Sequence, residues 1–444
     1  MKRIVAAFVL VLLAATGFGF DFGGSIDNTT GVSLRLNVAD SARLIQRTSV
    51  TLWVRAPLGS WAFDAQGSYT YTPVLPILFD IDRMTLSTTV SAPQAGATSL
   101  GLTIGRTGFT DASRNVLATT LDGLRVELGQ ERASLRIGVA TNALQYRPTN
   151  PLAISRLDVS PTANAGRLLA SPRLIASVDY TLLDLFARQN LALGVLVQED
   201  LRPRDELTAV GGTTAELDAG GRLDTQYVSL GLSGSLAPGL FHRTSYTLNT
   251  GRTLGLLPDD LSVTGFSYQY ALILAHMAST ELTLFLPEVL NSRLRLFGLF
   301  STGDPDALTF IEGNTDATAT SFVPLAPPRY SDGFSLKPGN SAHIGVSYSV
   351  RPLAALGMDV LQAELSSVSY LRTAGRGAVS EGAVNAQSDG VYVGTDVNLA
   401  LSYQPFSDVR FVLTNGVFVP NEAVMFDGSK DVKYQGTLRG VLRF

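Results

Sequence analysis

Hydrophobic and polar residues alternate along most of this chain. From Tyr434 to Phe444 every second residue is apolar or small: Tyr434, Gly436, Leu438, Gly440, Leu442 and Phe444. Between them lie Gln435, Thr437, Arg439, Val441 and Arg443. A β-strand sends successive side chains to opposite faces, so this segment offers one face to lipid and the other to water. The period recurs in Trp61–Tyr71, where Trp61, Phe63, Tyr69 and Tyr71 oppose Asp64, Gln66, Ser68 and Thr70. In His343–Val350, Ile344, Val346, Tyr348 and Val350 oppose Ser347 and Ser349. In Val391–Tyr403, Val393, Val397, Leu399, Leu401 and Tyr403 oppose Asp396, Asn398 and Ser402. Strands of about ten residues with aromatics near their ends suit a tilted crossing of a bilayer. The pattern predicts an all-β fold, a transmembrane antiparallel β-barrel.

The breaks in the alternation sort into two classes. Short ones fall at Ala56–Gly59, Ser91–Ala97, Gly129–Glu131, Leu182–Gln189, Leu236–Pro238, Pro287–Leu290, Arg351–Val360 and Gln404–Ser407. Longer ones fall at Leu144–Leu169, Glu199–Gly221, Gly251–Leu261, Gly303–Asn340, Thr373–Gly390 and Val419–Asp431. Membrane barrels keep short turns at the periplasmic end and long loops outside. Under that rule Ser262–Leu286 is one long strand, and the count comes to about 18, with 16 as the alternative if two early strands fold into a loop.

Composition and the N-terminus narrow the class. Met1-Lys2-Arg3 precedes an apolar run from Ile4 to Ala15, too short to span a membrane, which reads as a secretory signal peptide. Cleavage after Gly17 or Gly19 gives a leader of residues 1–19 and a single barrel domain over 20–444. The chain has no cysteine, so it has neither a lipid-modified leader nor a disulfide framework. Apolar residues make up 45% of the chain and mean hydropathy is +0.20, yet beyond Ala15 no long uninterrupted apolar run occurs. Charged residues are 16%, below the quarter or so usual for soluble domains. The formal net charge is −4, which gives no support to nucleic-acid binding. Together these features point to the outer membrane of a diderm bacterium.

The same parity assigns a charged inner face. Arg35, Arg55, Arg125, Arg136, Arg173, Arg243, Arg293, Arg295, Arg410, Arg439 and Arg443 point inward, as do Asp64, Asp80, Asp82, Glu127, Asp179, Glu281, Glu364 and Asp396. An arginine on the lipid face costs about 2–4 kcal/mol at mid-membrane, which enforces this assignment wherever the strand is regular. An interior with this many charges is not expected to be a packed apolar core. Some of the charges should pair across strands, and the remainder should face a wet lumen, with arginine slightly in excess. The long loops, Gly303–Asn340 above all, could fold inward and set the constriction.

Two stretches add a resemblance. Gly105-Arg106-Thr107-Gly108-Phe109-Thr110-Asp111, with Leu121-Asp122-Gly123-Leu124-Arg125, resembles a strand–loop–strand pattern of large porin-like outer-membrane barrels. Tyr392–Asp396, Tyr403-Gln404-Pro405 and Gly416–Pro420 are similar to a late hairpin of 18-stranded alginate-export-type barrels and of uncharacterised spirochaete outer-membrane proteins. The final strand resembles the signal by which the bacterial barrel-assembly machinery recognises its substrates, with Phe444 in the terminal position. By this resemblance Arg106 and Asp111 are constriction residues, with a loop anchor as the alternative, and Asp122 joins them. No polysaccharide export is carried over.

Other functions fit less well. The three histidines, His242, His276 and His343, form no Ser-His pair and no metal-ligand spacing, and no G-x-S-x-G turn occurs. The chain lacks room for both the wall and the plug of a TonB-dependent transporter. The reading is therefore a porin-like channel, without cofactor or metal, for passive diffusion of small hydrophilic solutes. Its alternative is an adhesin or structural barrel acting through its outer loops. A homo-oligomer is compatible with either.

Overall fold

The computed structural model describes residues 19–36, 38, 41–74, 77–91, 98–142, 152, 154–155, 158, 170, 172–201, 220–258, 260, 266–307, 309–311, 318–426 and 430–444. The expected leader lies outside these residues except for Gly19. The wall strands run β1 (Asp21–Arg35), β2 (Arg43–Leu58), β3 (Trp61–Tyr71), β4 (Leu78–Val90), β5 (Ser99–Thr110), β6 (Ala118–Gly129), β7 (Ala133–Thr141), β8 (Arg173–Phe186) and β9 (Gln189–Asp200). They continue with β10 (Gly221–Ala237), β11 (Leu240–Pro258), β12 (Phe266–Leu286), β13 (Ser292–Ser301), β15 (Ser341–Val350), β16 (Leu361–Leu371), β17 (Tyr392–Tyr403), β18 (Val409–Pro420) and β19 (Lys433–Arg443). A two-residue strand, β14 (Thr318–Ala319), belongs to the loop after β13.

Each wall strand pairs antiparallel with its neighbours in sequence, and β19 pairs with β1, Arg443 opposite Ser25 and Lys433 opposite Arg35. The wall is a closed 18-stranded barrel with no free edge, which satisfies the backbone in lipid. Residues 59–60, 130–132, 187–188 and 238–239 are tight turns at one end, while connections such as 302–340 and 372–391 lie at the other. Strand β12, 21 residues long, replaces the hairpin that its length would otherwise suggest. The connection expected at Gly251–Leu261 begins later, because β11 continues to Pro258 in register with β12.

One face of each strand carries the lipid belt. Leu193, Val195 and Val197 on β9, Val228 and Leu230 on β10, and Leu272 and Leu274 on β12 are all exposed. Their neighbours on the other face, Leu196, Tyr227, Ile273 and Ala275, are buried inside the barrel. Two irregularities reverse parity. At Gln66/Gly67 the β3–β4 register shifts, so Arg83 pairs with Gln66 and faces inward although Asp82 does too. At Tyr370/Leu371 the β16–β17 register shifts, and Val393, expected outside, is buried inside with Val368 and Phe418.

Candidate functional site: the barrel lumen

The long-loop half of the lumen is filled on one side. Strand β12 outruns β13, and β14 takes up its upper edge in parallel, Leu272 opposite Thr318. From there the chain turns inside the barrel. Phe322, Val323, Leu325 and Ala326 are fully buried against Leu196, Tyr227, Ala275, Met277 and Leu299 of the wall. Donors from β10 hold this segment: Arg222 Nη2 donates to the Ser321 carbonyl at 2.9 Å and the Tyr227 hydroxyl to the Val323 carbonyl at 2.6 Å. Further on, the Tyr370 hydroxyl donates to the Phe334 carbonyl at 2.7 Å, and Phe334 stacks on Phe418 with centroids 3.8 Å apart.

The turn after β5 meets this loop. Leu117 forms a parallel bridge with Ala326, the Tyr330 hydroxyl donates to Asn115 Oδ1 at 3.2 Å, and Asn115 Nδ2 reaches Ser279 of β12 at 3.0 Å. The interior is thus partly a packed apolar core, contrary to the expectation from its charges. The reason is positional: apolar inward residues cluster toward the loop end of β5–β13 and again at β16–β18, with buried charges such as Arg173 and Arg222 set among them.

The inner face of β19, β1, β2, β3 and β4 stays open. A groove of about 990 Å³ runs along it, lined by Asp27, Arg47, Trp53, Asp82, Asp408, Arg439 and Arg443 together with Phe444 and Ser, Thr and Gln side chains. Arg439 Nε donates to Asp27 Oδ2 at 2.8 Å. The Arg47 and Arg443 side chains have no ion pair or hydrogen bond among the described residues, and Asp82 and Asp408 line the same groove, so its arginines and carboxylates balance.

The expected site residues separate into three groups. Arg439 and Arg443 line the groove. Arg295 pairs with Glu281 at 2.6 Å and stands over the Phe297 ring, and Arg293 lies 3.6 Å from Glu364. Arg243 is registered opposite Glu281, and Arg410 Nε donates to Ser402 at 2.9 Å. These four belong to inner-wall networks. The remaining candidates hold structure together. Arg106 is opposite Asp122 and bonds it through Nε at 2.7 Å and Nη2 at 2.8 Å, while Nη1 reaches the Ile81 carbonyl at 2.7 Å. Pairing of β4 with β5 ends at Met84 and Arg106, so this guanidinium clasps the seam where the two strands part. The Arg106–Asp122 pair thus sits at the seam of β4, β5 and β6. Arg125 pairs with Glu127 at 3.2 Å and bonds the Gly108 carbonyl.

Asp111 is the anchor of its turn. It accepts from the Ser113, Val116 and Leu117 backbone N–H groups at 2.8, 3.1 and 2.8 Å, and from the Ser113 hydroxyl. Burial pushes its carboxyl up, against the lowering effect of those bonds. Asp396 is fully buried beneath the inward loop, accepting from the Ser331 hydroxyl and from Asn398 Nδ2 at 2.7 Å. Neither carboxylate is presented to a solute.

Sequence reasoning missed Asp27, Arg47 and Trp53. Alternation in β1 and β2 carries the signal for all three, because Phe22 and Ile26 mark the lipid face of β1 and Leu44 and Leu52 that of β2.

No protein-family model and no curated protein sequence matches this chain. Solved structures do match along its length. Pseudomonas aeruginosa OccK8 (OprE) superposes with a TM-score of 0.57 at 11% identity, covering 96% of this chain and 98% of that one. Pseudomonas aeruginosa OccK2 (OpdF), solved in complex with glucuronate, gives 0.55 at 13% identity over 96% and 98%. The Pseudomonas aeruginosa outer membrane protein opdK gives 0.54 at 13% identity over 96% and 99%. With the closed wall, these likenesses establish the fold as a porin-like transmembrane β-barrel of the outer-membrane type.

Proposed function

We propose that this protein is an outer-membrane channel through which small hydrophilic solutes diffuse passively, with residues 1–19 as its export leader. The observation that carries the reading is the open, charged groove in a lumen filled on one side by its own loop. Arg47 and Arg443 share this groove with Asp82 and Asp408, so it presents charges of both signs. Charges of both signs along a pore narrowed by protein supply field and hydrogen bonds for small hydrophilic solutes. The glucuronate held by OccK2, a small anionic sugar, is a solute of the class this groove would suit. The inward course of the loop after β13 speaks against an adhesin that displays it. Proteoliposomes carrying the protein are expected to swell in isotonic small sugars and more slowly in larger ones. Swelling no faster than that of protein-free liposomes would remove the channel reading.

The C-terminal strand is proposed as the signal read by the assembly machinery. Phe444 exchanges both backbone hydrogen bonds with Gly24, at 2.8 and 3.0 Å, so it also locks the closing seam. Deleting Phe444 alone should reduce the heat-modifiable, membrane-inserted fraction. Unchanged insertion would confine the residue to the seam.

A further inference from the structure

We propose that Trp53 is a stacking platform for a ring-shaped, hydroxyl-rich solute, a pyranose sugar or sugar acid, on the short-turn side of the lumen. This deepens the channel reading and rests on it. Trp53 lies in β2 directly opposite Gly23 of β1, and it lines the groove. A Cβ at Gly23 would come 2.7 Å from Trp53 Cζ2 and 2.9 Å from Cε2. Only glycine therefore lets the indole lie down across β1, and Trp53 keeps 37% of its surface exposed. An aromatic serving only to fill the wall would be covered. Here a flat apolar face is held against the sheet and left open to water.

The surroundings are those a sugar needs. Gln66 is registered opposite Trp53 on its other side, and Asp82 and Arg443 line the same groove. A pyranose ring presents a face of C–H groups and a rim of hydroxyls. The C–H face matches the indole, and the rim matches planar amide, carboxylate and guanidinium groups that donate and accept in the ring plane. Small-solute sites combine in this way an apolar surface with a few placed polar groups. An open-chain polyol of the same composition has the hydroxyls without the flat face.

The test uses pairs that differ chiefly in ring closure: glucose against sorbitol, and glucuronate against gluconate. Single channels in potassium chloride are recorded with each solute on the short-turn side. The cyclic member of each pair is expected to interrupt the current for about three to ten times longer, the range a single aromatic contact supports. Trp53→Leu keeps apolar bulk but lacks the flat face; it should still give stepwise potassium chloride conductance and lose the preference, while Trp53→Phe should keep part of it. The chain has two tryptophans, so a Trp61→Phe background isolates Trp53 fluorescence, which should respond to glucose and not to sorbitol. Equal interruption by both members, or a preference that survives Trp53→Leu, overturns the platform while leaving the channel intact. Absence of any conductance would instead strike the channel reading.

Discussion

Replacing residues 305–338 with a short linker is expected to raise the single-channel conductance severalfold. Apart from β14 on the upper edge of β12, the segment's buried described residues lie in the lumen. Its buried apolar residues, Phe322, Val323 and Leu325, pack on inward faces of β9, β10 and β12, and the wall remains complete without it. The ends are already close: the Asn340 N–H donates to the Thr302 carbonyl at 3.1 Å, and Ser301 pairs with Ser341. A linker can therefore close the gap without moving β13 or β15. The inner faces it uncovers would be apolar, so the widened pore should also bind detergent. A folded deletion variant with unchanged conductance would show that the passage is bounded elsewhere.

The second large effect is on stability. Arg173 is fully buried at the loop end of β8, with Nη2 2.9 Å from Asp158 and Nη1 3.4 Å from Asp200, both of them almost fully buried. Nη2 also donates to the Ser155 hydroxyl at 2.7 Å. Removing the cation leaves two carboxylates buried without it. Breaking a buried pair in this way costs about 3–5 kcal/mol, most of it the penalty of the uncompensated charge. Arg173→Met should accordingly lower the urea midpoint of unfolding, and adding Asp200→Asn should restore part of the loss. No shift in Arg173→Met would mean that water reaches the site. Surface pairs such as Arg376–Asp389, widely exposed, should show little change when broken.

Period-two alternation is enough to predict the wall, because lipid penalises polar side chains on one face of every strand. Turn positions such as Leu236–Pro238 and Pro287–Leu290 then determine the strand count, since short turns must share one end. Alternation cannot see an inserted residue, however. The register shift beside Asp82 and Arg83 and that beside Val393 each reverse parity. The glycines at these places, Gly67 and Gly394, are two among 42 and do not stand apart in the sequence. The lumen is less legible than the wall. Inward charge on β19 follows from parity, but Asp396, on an inward position, is sealed by a loop whose course depends on tertiary contacts with residues far away in sequence. Arg106 and Asp122 give no sign that β4 and β5 part at their level. Trp53 needs the identity of its cross-strand partner, Gly23, and that pairing follows only from the register of β1 with β2.

Water and small solutes should pass through the barrel beside the inward loop, and planar-bilayer recording of the purified protein tests this most directly. Discrete, stepwise conductance increases are predicted. Well-folded, heat-modifiable protein that inserts into the bilayer and gives no conductance steps would contradict such a passage.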